Sequence, residues 1–131
     1  MSTALIQVKD IMAKGNAMPI VSHKCTMKAG MKEMNKKNLG ILCVKDKNGT
    51  ISILTDGDIR KNSNNLYTKK ILKISNKKPV WINDSATALS AIEKMNALRI
   101  TNLLCYNSDN KKKISGSVSY THLTLPTNRE V

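Results

Sequence analysis

Apolar and polar positions follow two periods along this chain. Met27, Met31 and Met34 fall on one face at helical spacing, with Lys28, Lys32, Lys36 and Lys37 facing water, which predicts an amphipathic helix over Met27–Lys37. Gly30 lies inside that helix and weakens it by about 1 kcal/mol relative to alanine. Upstream, Val8, Ile11 and Met12 suit one helical turn, and Gly15-Asn16 breaks it. Ala17–Val21 reads as extended, with Pro19 suited to an edge or to the start of a strand. Downstream, Leu39–Val44 reads as a strand, Asp46-Lys47-Asn48-Gly49 as a hairpin turn, and Ile51–Leu54 as the return strand.

The return strand stops at Thr55-Asp56-Gly57-Asp58. A hydroxyl followed three residues later by an acid is a close variant of the capping box, so a helix starts here and runs to about Lys61. A helix start presents free backbone N–H groups and the positive end of the macrodipole. With the Asp58 carboxylate, able to accept both donors of a ribose diol, this corner suits a nucleotide. The same residues also suffice to do no more than cap a helix, and spacing leaves both readings open.

After the polar stretch Asn62–Asn65 the pattern returns. Lys70-Ile71-Leu72 echoes Asp10-Ile11-Met12, and Lys78-Pro79-Val80 echoes Met18-Pro19-Ile20 with the prolines sixty positions apart. Asn83-Asp84-Ser85 is the expected N-cap of a second amphipathic helix carrying Ala88, Leu89, Ile92, Met95 and Leu98. Ile100–Tyr106 matches the earlier strand, Asn107–Asn110 is a turn, and Ile114–Val118 begins the next return strand. The agreement in order and spacing predicts an internal duplication. The first repeat spans 8–61, a linker 62–67, and an incomplete second repeat 68–118. A unit of this size buries too little alone, so the expected fold is α/β, two small sheets with two helices each, packed as a pseudo-two-fold pair.

Composition narrows the chemistry. Lys and Arg number 22 against 9 acids, a formal charge of +13. Such a field attracts polyanions. Single-strand nucleic-acid binders add stacking aromatics, but aromatic residues are 3% of this chain and Phe is absent. A solvated lysine surface, with no nucleic-acid partner, is the expectation. Cys25, Cys43 and Cys105 fit no metal or redox spacing; Cys43 and Cys105 sit in apolar runs as expected buried hydrophobes, and the odd count suits a reducing cytoplasm. Neither a signal peptide nor an apolar run of membrane-spanning length is present, so no membrane partner is expected. His23 and His122 lie on unrelated segments, Asp46 and Asp109 are turn acids, and no catalytic or metal-ligating constellation emerges.

The duplicated order, the apolar-Pro-apolar start and Ile53-Leu54-Thr55-Asp56-Gly57-Asp58-Ile59-Arg60 resemble a tandem pair of CBS domains, a Bateman module. Within that family, Lys37-Asn38-Leu39-Gly40, Leu54–Lys61 and Arg99-Ile100-Thr101-Asn102 resemble the regulatory C-terminal half of bacterial arabinose-5-phosphate isomerases. The resemblance covers residues 8–118. It implies a nucleotide-sensing regulatory module whose catalytic domain is absent, with no cofactor of its own, an adenine nucleotide as possible ligand, and a homo-oligomer formed through the CBS pairs. It implies Thr55 on a ribose hydroxyl and phosphate, Asp58 on the ribose diol, Asp56 beside them at the helix start, and Ile20 and Ile41 lining the base. The alternative is a ligand-free dimerisation platform. Ser52 stands where the family usually has glycine and is expected to crowd a ligand; Gly116 takes that place in the second repeat. Ser119 and His122 replace Thr55 and Asp58 there, so the second site is expected to be defective. Ser117–Arg129 departs from the repeat and resembles a translated sequencing adapter, so 119–131 are expected to be a non-native tail. Thr121, His122 and Pro126 fit neither a cap nor a helix.

Overall fold

The computed structural model describes residues 6–75, 78–107 and 110–124. The chain divides into two compact units: Pro19–Pro79, and the described residues of Met1–Met18 with Val80–Val131. The repeats read from the sequence and the compact units therefore cut the chain differently.

In the first unit, β1 (Ile20–Ser22) pairs parallel with β2 (Ile41–Lys45), and β2 pairs antiparallel with β3 (Ile51–Thr55). Helix α1 (Met27–Lys37) joins β1 to β2, as a parallel pair requires. Its N-cap Thr26 accepts from the Ala29 amide at 3.1 Å, and it ends on Asn38 in the left-handed region, φ 55°. Met27 and Met34 pack with Leu42, Val44 and Leu54, under α3 (Ile71–Ile74). Gly30 has a packing reason: a Cβ there would lie 2.8 Å from Ile71 Cδ1 and 3.1 Å from Leu42 Cδ2. In the hairpin, Asp46 Oδ1 accepts from the amides of Asn48 and Thr50 at 2.8 and 2.9 Å, and Gly49 takes φ 83°. The helix α2 (Asp56–Lys61) follows β3 directly.

The second unit repeats the sheet. β4 (Trp81–Asn83) is parallel to β5 (Asn102–Asn107), which is antiparallel to β6 (Asn110–Ser119). β2 and β5 are thus the middle strands of equivalent sheets, as the duplication predicts. Ile20 pairs with Cys43 and Trp81 with Leu104, an offset of 61, so Val80 rather than Pro79 takes the place of Pro19. Helix α4 (Ala88–Leu98) is capped by Thr87, which accepts from the Ser90 amide at 3.0 Å, not by Asn83-Asp84-Ser85. Those residues form a local turn in which Asn83 Oδ1 accepts from the Ser85 amide at 2.9 Å, an alternative use of the same side chains. The buried stripe of α4 is Ala88, Ala91 and Met95; Leu89 and Leu98, assigned to that face by periodicity, are exposed.

The N-terminal segment belongs to this second unit. The amides of Val8 and Lys9 donate to the carbonyls of Ala86 and Asp84, both at 2.8 Å, and Val8 joins the core of Leu103, Cys105 and Val118. Ala13 and Ser117 exchange two backbone hydrogen bonds of 2.8 and 2.9 Å. Thr121 and His122, expected to fit neither a cap nor a helix, lie in a helix. Tyr120–Thr124 form a short helix, α5, and Leu123 is buried in that core, because an apolar side chain at this spacing fills the place Ile59 approaches in the first unit. Asp109 and Pro126 lie outside the described residues.

Candidate functional site

Strand alternation decides which candidate residues meet. Directly opposed residues share a face of the sheet, so the pairs Ile41–Thr55 and Ile20–Cys43 put Ile20, Ile41 and Thr55 on one face. Leu42, Val44 and Leu54 point the other way, into the core under α1. Ile20 is half-buried, whereas Ile41, expected to line the base, is 1% exposed and presents almost no surface on that face.

Thr55 ends β3 and opens α2. Its amide and hydroxyl both donate to Asp58 Oδ2, at 2.9 and 3.0 Å, and Oγ1 accepts from the Asp58 amide at 3.4 Å. Both legs of the capping box are therefore made, with aspartate in the place of the usual glutamate. Asp58 is buried; these bonds offset the cost of removing its charge from water. Asp56 is exposed at the helix start. Its Oδ2 lies 3.3 Å from the position a Cβ would take on Gly40, whose φ is 71°. A side chain at Gly40 would push into the Asp56 carboxylate, and the backbone there favours glycine. Sequence reasoning placed Gly40 inside the strand Leu39–Val44, whereas the strand begins at Ile41 and Gly40 lies in the bend before it. It also read Asn62 as linker, yet Asn62 Nδ2 donates to the Asp58 carbonyl at 2.7 Å, and Lys69 Nζ donates to Asn62 Oδ1 at 3.0 Å.

Ser52 does not crowd this face. It pairs with Val44, so its side chain lies on the opposite side, where its hydroxyl meets Ser75 Oγ at 3.4 Å. In the second unit Gly116 pairs with Cys105 in the same way, and a Cβ there would lie 2.5 Å from Met12 Sδ and 2.6 Å from the Ala13 carbonyl. The glycine at this register serves close packing of the preceding segment. In the first unit the small Ser75 leaves room for a hydroxymethyl group.

The second unit places Ser119 opposite Asn102 as Thr55 stands opposite Ile41. Ser119 is buried, and Ser117 Oγ is buried without a hydrogen-bond partner among the described residues. His122 falls within α5, but its side chain lies outside what the structure describes. Among the described residues no cluster of His, Cys, Asp and Glu could hold a metal ion, and no helix is long and apolar enough to cross a membrane.

The fold, the duplicated sheet and the Thr55–Asp58 corner define a class. The chain belongs to the CBS domain family, which matches residues 8–65 and again residues 71–125. An uncharacterized protein of Rickettsia prowazekii is 36% identical over 101 residues, 76% of this chain and 32% of that protein. Arabinose 5-phosphate isomerase KdsD of Francisella tularensis is 31% identical over 118 residues, 88% of this chain and 36% of that enzyme. This chain thus spans about a third of the length of the curated relatives it matches. A CBS domain protein from Pyrobaculum aerophilum, solved in complex with AMP, has the same fold, with a TM-score of 0.77 at 16% identity and 92% of each chain covered.

Proposed function

We propose that this chain is the nucleotide-sensing regulatory module of an arabinose-5-phosphate isomerase, acting in the cytoplasm on a catalytic domain outside these residues. The ligand is an adenine nucleotide held at the Thr55–Asp58 corner. The observation that carries the reading is the register that sets Ile20, Ile41 and Thr55 on one sheet face, with Asp58 closing its end. Ile20 offers apolar surface to the base, backed by Ile41. The Asp58 carboxylate accepts from the ribose diol, and Thr55 with the first amides of α2 meets the phosphate side beside Asp56. Likeness to an isomerase over 88% of this chain supports the assignment to that enzyme, and the AMP complex of a protein of the same fold supports the ligand class. Self-association through CBS pairs belongs to the same reading.

Isothermal titration of AMP and ATP tests it. A hydrogen bond to a charged group contributes about 1.5–3 kcal/mol, so Asp58→Ala should weaken binding roughly ten- to a hundredfold. Asp58→Asn, which keeps the shape with fewer acceptor sites, should fall between. Equal affinity in wild type and Asp58→Ala would mean that the corner only caps a helix.

A further inference from the structure

The carboxyl ends of β1 and β2 form a second concavity in the first unit. It is a pocket of about 540 Å³ lined by Ser22, His23, Lys24, Lys45, Asp46 and Lys47, among others. The Thr55 corner pairs with the opposite end of β2, at Ile41. Four residues of strand separate the two, about 13 Å. Ile20 lines the pocket as well as the face read as holding the base, while the basic rim at Lys24, Lys45 and Lys47 lies at the far end of β2 from Thr55.

Its charge is one-sided. Lys24, Lys45 and Lys47 make no ion pair with any described residue. The one carboxylate in the lining, Asp46, is engaged by its own turn, accepting from the amides of Asn48 and Thr50. The main chain around the pocket is also fixed: the His23 amide donates to the Lys45 carbonyl at 2.8 Å, and the Lys24 amide to Ser22 Oγ at 3.2 Å. Side-chain ammonium and imidazole groups are what the pocket offers a ligand.

The duplication supplies an internal control. The Asp84 amide donates to the Tyr106 carbonyl at 2.8 Å just as His23 donates to Lys45, so the two places are equivalent. There the second unit carries Asp84, Ser85 and Tyr106 in place of His23, Lys24 and Lys45. The fold itself therefore does not require bases at this rim. We propose that the His23–Lys24–Lys45–Lys47 pocket binds the polyphosphate group of a small ligand. Lysines supply point charges, and three of them line this one concavity, which suits a multiply charged anion.

The proposal stands apart from the adenosine reading, and its test separates the two. Inorganic pyrophosphate is titrated into the full chain at constant ionic strength by calorimetry. Saturable binding is expected. Lys45→Gln with Lys47→Gln should weaken it about tenfold or more. Lys28→Gln with Lys32→Gln, which removes equal charge from the exposed face of α1, should change it by about twofold at most. Asp58→Ala should leave it unchanged. Titrating ATP into Asp58→Ala distinguishes a free polyphosphate from a nucleotide tail: tighter binding than pyrophosphate assigns the tail, weaker binding the free anion. Equal losses from the two lysine pairs, loss in Asp58→Ala, or no saturable binding to the wild type would each overturn the proposal.

Discussion

Replacing Gly116 by alanine isolates one close approach. Gly116 lies inside β6, and its backbone needs no left-handed conformation, so the cost is purely steric. The added Cβ would lie 2.5 Å from Met12 Sδ and 2.6 Å from the Ala13 carbonyl oxygen. The sulfur belongs to a flexible side chain and can withdraw. The carbonyl cannot, because it accepts from the Ser117 amide at 2.9 Å and the Ala13 amide donates back to Ser117. Relief therefore means breaking that bridge or shifting the segment that carries Val8 into the core. Overpacking of this kind costs about 1–3 kcal/mol. Alanine recovers about 0.4–1 kcal/mol by restricting the unfolded chain. A net loss of roughly 1–2 kcal/mol follows, read as a lower midpoint in urea at unchanged slope. Adding Met12→Ala to Gly116→Ala separates the two contacts: it should restore little beyond the effect of Met12→Ala alone. Unchanged or increased stability of Gly116→Ala, or full rescue by the smaller side chain at position 12, would refute the reasoning.

Three further outcomes follow from the described geometry. Arg99 ends α4 at φ 56°, where a side chain is strained, so Arg99→Gly should raise stability by about 0.5–1 kcal/mol in thermal melts, and a lower melting temperature would contradict it. Thr55→Ala removes the cap of α2 and should cost about 1 kcal/mol in urea unfolding even without nucleotide; an unchanged midpoint would show that the capping box contributes nothing. Burial pushes the Cys43 and Cys105 thiols from the ordinary 9.0 up to about 12, so above pH 9 the unfolded chain releases these protons first and stability falls as pH rises towards 12, by at most about 1.4 kcal/mol per unit and thiol. Urea midpoints measured stepwise over that range should decline, and Cys43→Ala should flatten the decline.

Elements whose signal is local were legible in the chain. The helix bounds Met27–Lys37, the Asn-Gly hairpin and the Thr55–Asp58 box each rest on residues within a few positions of one another. So did the duplication, since a repeated pattern needs no knowledge of packing. What escaped depends on partners far along the chain. Gly30 read as a weak point of α1 until Ile71 and Leu42 were seen against it. Ser52 read as an obstruction because the alternation of β3 alone does not say which face is already filled. Gly40 and Asn62 gain their meaning from Asp56 and Asp58, and only the folded corner brings them together.

The placement of Val8 and its neighbours bears on the order in which the protein can be made. Val8 leaves the ribosome before its own core partners Leu103, Val118 and Leu123, which follow 95 to 115 residues later in synthesis. The unit from Pro19 to Pro79 has all its strands and helices once its own residues are out, whereas the discontinuous unit must hold its opening segment unsatisfied until the last strand arrives. Its contact order is correspondingly high, so it should be the slower and more aggregation-exposed of the two. A gene cut at the boundary between the repeats would yield a second half lacking a piece of its own interior. Supplying residues 6–18 as a separate peptide should restore it.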